Sequence, residues 1–239
     1  MTAVWRWAWR LALAACAVAA PPARAQAPPA DTSGIRYVYL IRHGDYARDS
    51  VDDDRVQGAL TPLGHEQARL LAARLKALPV RFSALVSSDF LRAMQSADDI
   101  GRVLGMAPQR DSLLHECGFR SYRTDFRRTT EAEVAACDSN GVHAWARYFV
   151  PSRGGDAHVL LVCHGNVIRW LVCRAIGADP QRWAAMEIAN GSLTIVAVRP
   201  DGTTRLVAYS DTGHLPLAKQ TWTGRGAGWG RARAPRPGR

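Results

Sequence analysis

Val38-Tyr39-Leu40-Ile41-Arg42-His43-Gly44 decides the fold. Tyr37 to Ile41 form a short apolar run of β-branched and aromatic side chains, long enough for a buried strand and too short for a helix. Arg, His and Gly follow at once. Open parallel sheets bind ligands beyond the carboxyl ends of their strands. A His delivered there can act as a nucleophile. The Arg beside it can hold a phosphate by two parallel hydrogen bonds. The Gly lets the backbone approach that phosphate and turn away. Three residues alone recur by chance, so the rest of the chain must supply the context.

Val159-Leu160-Leu161-Val162-Cys163 is a second core strand, and it ends in His164-Gly165-Asn166. The helix expected after it buries Val167, Ile168, Leu171, Val172, Ala175 and Ile176, with Gly177 at its end. Ala84 to Ser88 read as another strand, followed by a helix from about Asp89 to Leu104 with Arg92 in its first turn. Thr61-Pro62 opens a helix with Leu63, Leu70, Leu71, Leu75 and Leu78 on one face, stopped by Pro79. Ser112 to Glu116 form a short apolar piece ending in His115-Glu116. An Arg-rich loop over 117–128 and a helix over 129–148 follow, the latter weakened by Gly141. Pro151 to Asp156 form a turn. Leu193–Val198 and Arg205–Tyr209 pair across the turn at Pro200-Asp201-Gly202. Alternating strands and helices predict an α/β fold, a three-layer α/β/α sandwich around a mostly parallel sheet.

The 239 residues, 47% hydrophobic and 22% charged, suit one domain with a sizeable core. Of the formal net charge of +10, three positive charges lie in the first 30 residues and six between Lys219 and Arg239, which leaves +1 elsewhere. Charge is therefore no argument that the fold binds nucleic acid. Arg6 and Arg10, the apolar run Leu11–Ala20 and Ala23-Arg24-Ala25 predict a secretory signal peptide over 1–25. The alternatives are an uncleaved N-terminal anchor, which Trp5, Trp7 and Trp9 would suit, and a lipoprotein signal at Cys16. The expected location is periplasmic or secreted, or else membrane-anchored at the N-terminus. A flexible lead-in over 26–35, a catalytic domain over 36–218 and a disordered basic tail over 219–239 complete the expected organisation. Membrane contact is expected only through an uncleaved leader or weakly through that tail. Cys163 and Cys173 read as buried hydrophobes, and Cys117 and Cys137 as a candidate disulfide. Asp49, Asp52, Asp53 and Asp54 read as a solvated loop and not as a metal site.

Two strand ends carrying His-Gly place His43 and His164 at one carboxyl edge, with Arg42, Arg92 and Glu116 nearby. That set suits phosphoryl transfer through a covalent phosphohistidine, with Arg residues supplying charge neutralisation and no metal or other cofactor.

The chain resembles the histidine phosphatase (phosphoglycerate mutase-like) superfamily, and most of all its mitochondrial serine/threonine-protein phosphatase branch. The likeness runs from about Arg36 to Ala218. It rests on Leu40-Ile41-Arg42-His43-Gly44, Leu60-Thr61-Pro62-Leu63-Gly64, Ser87-Ser88-Asp89-Phe90-Leu91-Arg92-Ala93, Glu116 and Cys163-His164-Gly165-Asn166. The stretch from Val167 to Arg174, Asn190-Gly191-Ser192 and Ser210-Asp211-Thr212-Gly213 point to the branch. The resemblance implies His43 as nucleophile, Arg42, Arg92 and His164 as phosphate-binding residues, and Glu116 as acid and then base. Glu116 has Asp45 and Asp89 as understudies. Arg120 and Arg123 either line the substrate mouth or belong to an exposed loop.

The implied partner is a phosphorylated substrate, either a phosphoprotein or a small molecule such as a sugar phosphate or lipid-linked phosphate. A catalytically dead phosphate-binding scaffold is the competing class. The branch's mitochondrial anchor and Trp-Asp-rich assembly motif have no counterpart in the sequence, and neither have the substrate-gripping segments of mutases.

Overall fold

Six strands, β1 (Arg36–Arg42), β2 (Phe82–Ser87), β3 (Gln109–Arg110), β4 (Ala157–Cys163), β5 (Leu193–Val198) and β6 (Thr204–Asp211), form one sheet in the order β3-β2-β4-β1-β5-β6. β5 is antiparallel to both of its neighbours, and the remaining pairings are parallel. The computed structural model describes residues 33–47, 58–123 and 129–222.

The sheet is mostly parallel because β1, β2 and β4 are covered on both faces. Val38 and Leu40 join one buried cluster with Val159, Leu161 and Val196, while Tyr39 and Ile41 join another with Leu85, Leu160 and Leu193. Strands buried on both sides read as continuous apolar runs. Full burial of one such side chain stabilises by about 2 kcal/mol.

Helices α1 (Pro62–Lys76) and α2 (Leu91–Leu104) cover one face through Leu71, Ala72, Leu75, Ala93, Ala97 and Ile100. Helices α3 (Glu131–Tyr148) and α4 (Gly165–Ala175) pack in the cluster on the other. This is the expected three-layer α/β/α sandwich.

Local chemistry sets the helix ends. The Thr61 hydroxyl caps α1 by accepting from the Gly64 amide at 3.1 Å, with Pro62 in the first turn. Thr130 and Glu133 form a capping box at the start of α3. Gly105 and Gly177 follow α2 and α4 in the left-handed conformation, at φ 71° each.

Gly141 does not interrupt α3. A Cβ there would stand 2.8 Å from the Phe119 ring and 3.1 Å from Trp170, so the glycine lets the helix lie close to its neighbours. The Cys117–Cys137 disulfide is present, with Cα atoms 5.5 Å apart, and Cys163 and Cys173 are buried free thiols.

Both expected boundaries shift. Gly34 bridges to Ser152, and the Ile35 amide donates to Asp156 Oδ1, so the end of the expected lead-in is fixed to the domain. The expected disordered tail does not begin at Lys219. Gln67 Nε2 donates to the Lys219 carbonyl at 2.6 Å and to Thr221 Oγ1 at 3.2 Å, and the Asn190 amide donates to the Thr221 carbonyl. The folded segment reaches Trp222 because these groups need partners once Gln67 is buried. The leader over 1–25, the acidic residues 49–54 and the tail beyond Trp222 lie outside the described residues.

Candidate active site

The strand order brings three reactive ends together. β1 and β4 are neighbours, with Arg42 opposite Cys163 in the register, so His43 and His164 leave the sheet side by side. β2 flanks β4 and delivers Ser88 and then Arg92 in the first turn of α2. β1 leads through α1 to β2 on one side, whereas β4 leads through α4 to β5 on the other. The crevice between β1 and β4 is thus the point where the topology reverses, the usual place for a ligand in such sheets.

His43 and His164 are fully buried, with ring centroids 5.2 Å apart. His43 Nδ1 lies 2.8 Å from the Gly44 carbonyl oxygen, which can only accept, so the proton sits on Nδ1. Nε2 then carries the lone pair, and it accepts from Arg92 Nε at 3.3 Å. The His43 main chain is held on both sides. Its amide donates to the Cys163 carbonyl, and its carbonyl accepts from the Gly191 amide.

Gly44 serves a purpose different from the expected one. A Cβ there would stand 2.4 Å from the Gly64 carbonyl, so its bareness lets the turn after β1 pack on the start of α1.

Arg42 and Arg92 are both buried. Arg42 Nη1 donates to the Ile188 carbonyl at 2.6 Å. Arg92 lies over the rings of Tyr46 and Phe90. Burial pushes the Arg42 guanidinium down to about 10, against the opposing pull of the Glu116 carboxylate. Burial, together with the Arg42 and Arg92 charges, holds His43 well below its usual range, and burial, Arg92, His43 and Arg42 do the same to His164. Both imidazoles are neutral near pH 7. A neutral imidazole beside two buried guanidinium groups can act as a nucleophile, and the charges around it suit an anion.

His164 Nε2 and Ser88 Oγ lie 2.9 Å apart, and His164 Nδ1 is buried with no hydrogen-bond partner among the described residues. Glu116 Oε1 accepts from the Cys117 amide at 3.2 Å and from the Asn166 amide at 3.3 Å. Asn166 is the second residue of α4, so the carboxylate sits at a helix N-terminus, where negative charge is favoured.

The other acids are occupied elsewhere. Asp45 Oδ2 accepts from Thr61 Oγ1, and Asp89 pairs with His115. Arg120 pairs with Glu131 and Asp138, which makes it a tie to α3, whereas Arg123 donates to the Ala184 carbonyl.

Several supports were not legible as site residues. Ser88 lay inside a quoted motif without a role. Arg169, four residues along α4 from Gly165, donates to the Gly165 and Met186 carbonyls and to Asn166 Oδ1, and stacks over Trp183. Its spacing on the inward face of an apolar helix was the available signal.

A family model described as "Histidine phosphatase superfamily (branch 1)" matches residues 38–148 and 139–212. The chain belongs to the histidine phosphatase superfamily, and its class is that of a phosphatase, a phosphoric monoester hydrolase.

Among curated proteins, it is similar to the mitochondrial serine/threonine-protein phosphatase PGAM5 of Homo sapiens, at 35% identity over 198 residues, covering 78% of this chain and 66% of that protein. The Pgam5 protein of Caenorhabditis elegans is 32% identical over 203 residues, covering 80% of this chain and 68% of the relative. The chain thus spans about two thirds of the length of these relatives.

Among solved structures, a mycobacterial glucosyl-3-phosphoglycerate phosphatase superposes with a TM-score of 0.58 at 22% identity, over 74% of this chain and all of that one. A phosphoglycerate mutase from Plasmodium falciparum gives a TM-score of 0.54 at 24% identity, over 77% of this chain and 95% of that one. These likenesses show the fold. The curated relatives are mitochondrial by name, which overturns the expectation of a periplasmic or secreted protein.

Proposed function

We propose that the protein hydrolyses phosphomonoesters through a covalent phosphohistidine at His43, with phosphoserine and phosphothreonine in proteins as the substrate class. The single observation that carries the mechanism is the orientation of His43: Nδ1 is engaged by the Gly44 carbonyl, and Nε2 faces Arg92. The names of the curated relatives support the substrate class.

In the first step, His43 Nε2 attacks phosphorus while the ester oxygen leaves and takes a proton from Glu116. In the second, water attacks the phosphohistidine, Glu116 takes a proton from it, and inorganic phosphate departs with His43 restored. Arg42, Arg92 and His164 hold the phosphoryl oxygens throughout, and the buried Nδ1 of His164, without a hydrogen-bond partner among the described residues, supports that assignment. The phosphatase domain extends from Gly34 through Trp222.

Quenching in alkaline detergent during turnover of a phosphothreonine peptide, followed by acid treatment of half the sample, tests the reading. An alkali-stable, acid-labile phosphoenzyme in the wild type and none in His43→Ala is expected. Turnover by His43→Ala at the wild-type rate would show that another group attacks phosphorus.

A further inference from the structure

We infer that the Cys117–Cys137 disulfide positions Glu116 for proton transfer, so that cleavage of esters with poor leaving groups depends on the oxidation state of this pair. The inference rests on the role given to Glu116 above.

Glu116 stands between a three-residue 3-10 turn (Ser112–Leu114) and α3, in a stretch with no strand or helix of its own among the described residues. Its ties run through Cys117 and Asn166. The Cys117 amide donates to Glu116 Oε1. The Cys117 carbonyl accepts from Asn166 Nδ2 at 2.8 Å, which brings the stretch against the start of α4, where the Asn166 amide donates to the same carboxylate oxygen. The Cys117 sulfur is bonded to Cys137 on α3.

α3 is itself anchored. Val134 and Ala144 are fully buried, and Gly141 lies against Phe119 and Trp170. The disulfide therefore transmits the position of a packed helix to the residue next to the carboxylate. Without it, the neighbouring links to α3 are the packing of Phe119 against Gly141, two residues along, and the partly exposed Arg120–Asp138 contact, three residues along; neither holds the main chain at Cys117 itself. A carboxylate displaced by even about 1 Å loses most of its advantage as an acid.

Cys117 is buried, whereas Cys137 is partly exposed, so a thiolate reaches the bond from the Cys137 side. A dithiol reductant passes two electrons and two protons to the bond. Its thiolate forms a mixed disulfide with one cysteine sulfur, and its second thiol displaces that sulfur. The products are two protein thiols and a cyclic disulfide.

The readout is a ratio. In a ping-pong reaction, kcat/KM reports the steps up to departure of the leaving group. An acidic phenol leaves without a proton, whereas an alcohol needs one from Glu116. The full chain, oxidised or treated with dithiothreitol, is assayed on 4-nitrophenyl phosphate and on a phosphothreonine peptide. The expected result is a fall of about tenfold in kcat/KM for the peptide on reduction, with less than twofold for the aryl ester. Glu116→Gln should show no further effect of reduction on either substrate, because the two changes act through one group.

Equal losses on both substrates would mean that the bond is only structural, and no loss would mean that Glu116 is held without it; either overturns the inference. If reduction unfolds the chain, Cys117→Ala/Cys137→Val, which replaces the sulfurs with apolar groups, gives the same ratio without reductant. The nucleophile reading stands or falls separately: oxidised wild type active and His43→Ala inactive leaves it intact whatever reduction does.

Discussion

Gly165 and the guanidinium of Arg42 share a space that no larger residue could leave undisturbed: a Cβ at position 165 would lie 3.3 Å from both Cζ and Nε of Arg42. Arg42 cannot easily yield, because its Nη1 is fixed to the Ile188 carbonyl at 2.6 Å. Ile188 also crowds the same point at 3.2 Å. Gly165→Ala should therefore tilt the guanidinium and weaken inhibition by vanadate about tenfold, equivalent to about 1.4 kcal/mol, while the fold remains. An unchanged inhibition constant would mean that Arg42 does not bear on the anion.

Arg92 should not tolerate replacement by Lys. Its Nε meets His43 Nε2, and the planar group lies over Tyr46 and Phe90. An ammonium offers neither the fork nor the stacking surface. Arg92→Lys should lower kcat/KM about a hundredfold with little change in melting temperature. Steady-state kinetics beside a thermal melt separate the two effects.

Gln67 links three separate segments. Its Oε1 accepts from the Asp45 amide, and its Nε2 donates to Lys219 and Thr221. Gln67→Ala strips buried groups of their partners and should cost about 3 kcal/mol, read as a lower urea midpoint at constant slope. Ending the chain after Ala218 removes two of the same partners and should destabilise comparably.

Acid should weaken the fold before it weakens the nucleophile. His43 and His164 are held well below their usual range in the folded chain, by burial first and then by the arginines. The unfolded chain takes up these protons near pH 6.5, and the folded chain does not. Their contribution to stability is thus fully present above about pH 6.5 and declines as pH falls toward the folded values, at up to about 1.4 kcal/mol per pH unit for each group. Melting temperatures between pH 4.5 and 8 should fall more steeply on the acid side for wild type than for His164→Gln. The kcat/KM profile should show no loss centred at pH 6.5 attributable to His43.

The central strands and the residues at their ends were legible because burial on both faces leaves a continuous apolar run and because reactive groups follow such runs at once. Arg42, His43 and His164 stand directly at such strand ends, and Arg92 follows in the first turn of the helix after β2. Glu116 was placed near the site by the short apolar piece that it ends, and its role came from the family likeness, since its position depends on Cys117 and the start of α4. β3 escaped because two residues carry no period. The 3-10 turn over Pro180–Ala185 escaped because its closing contacts are with Arg120 and Tyr122, far away in sequence. Gln67 read as one polar position on a helix, yet its partners lie 22 and more than 150 residues distant. The segment from Met186 to Ser192 acts through its main chain, gripping Arg42, Arg169 and His43, and a backbone role leaves no trace in side-chain type.

The reversed direction of β5 carries a consequence for how such a chain can change. Because β5 begins where β1 ends, the main chain of residues 188–192 and the carboxyl ends of β1 and β4 form a single floor, built from backbone on both sides of His43. The stretch from His115 to Arg123 stands outside that floor and is joined to it through Glu116, Cys117 and Asn166. The floor carries His43 and the outer stretch carries Glu116, so the two halves of the proposed chemistry sit on separately built parts of the chain. Grafting that stretch from one relative onto the floor of another should therefore keep attack on phosphorus while altering proton transfer to the leaving group.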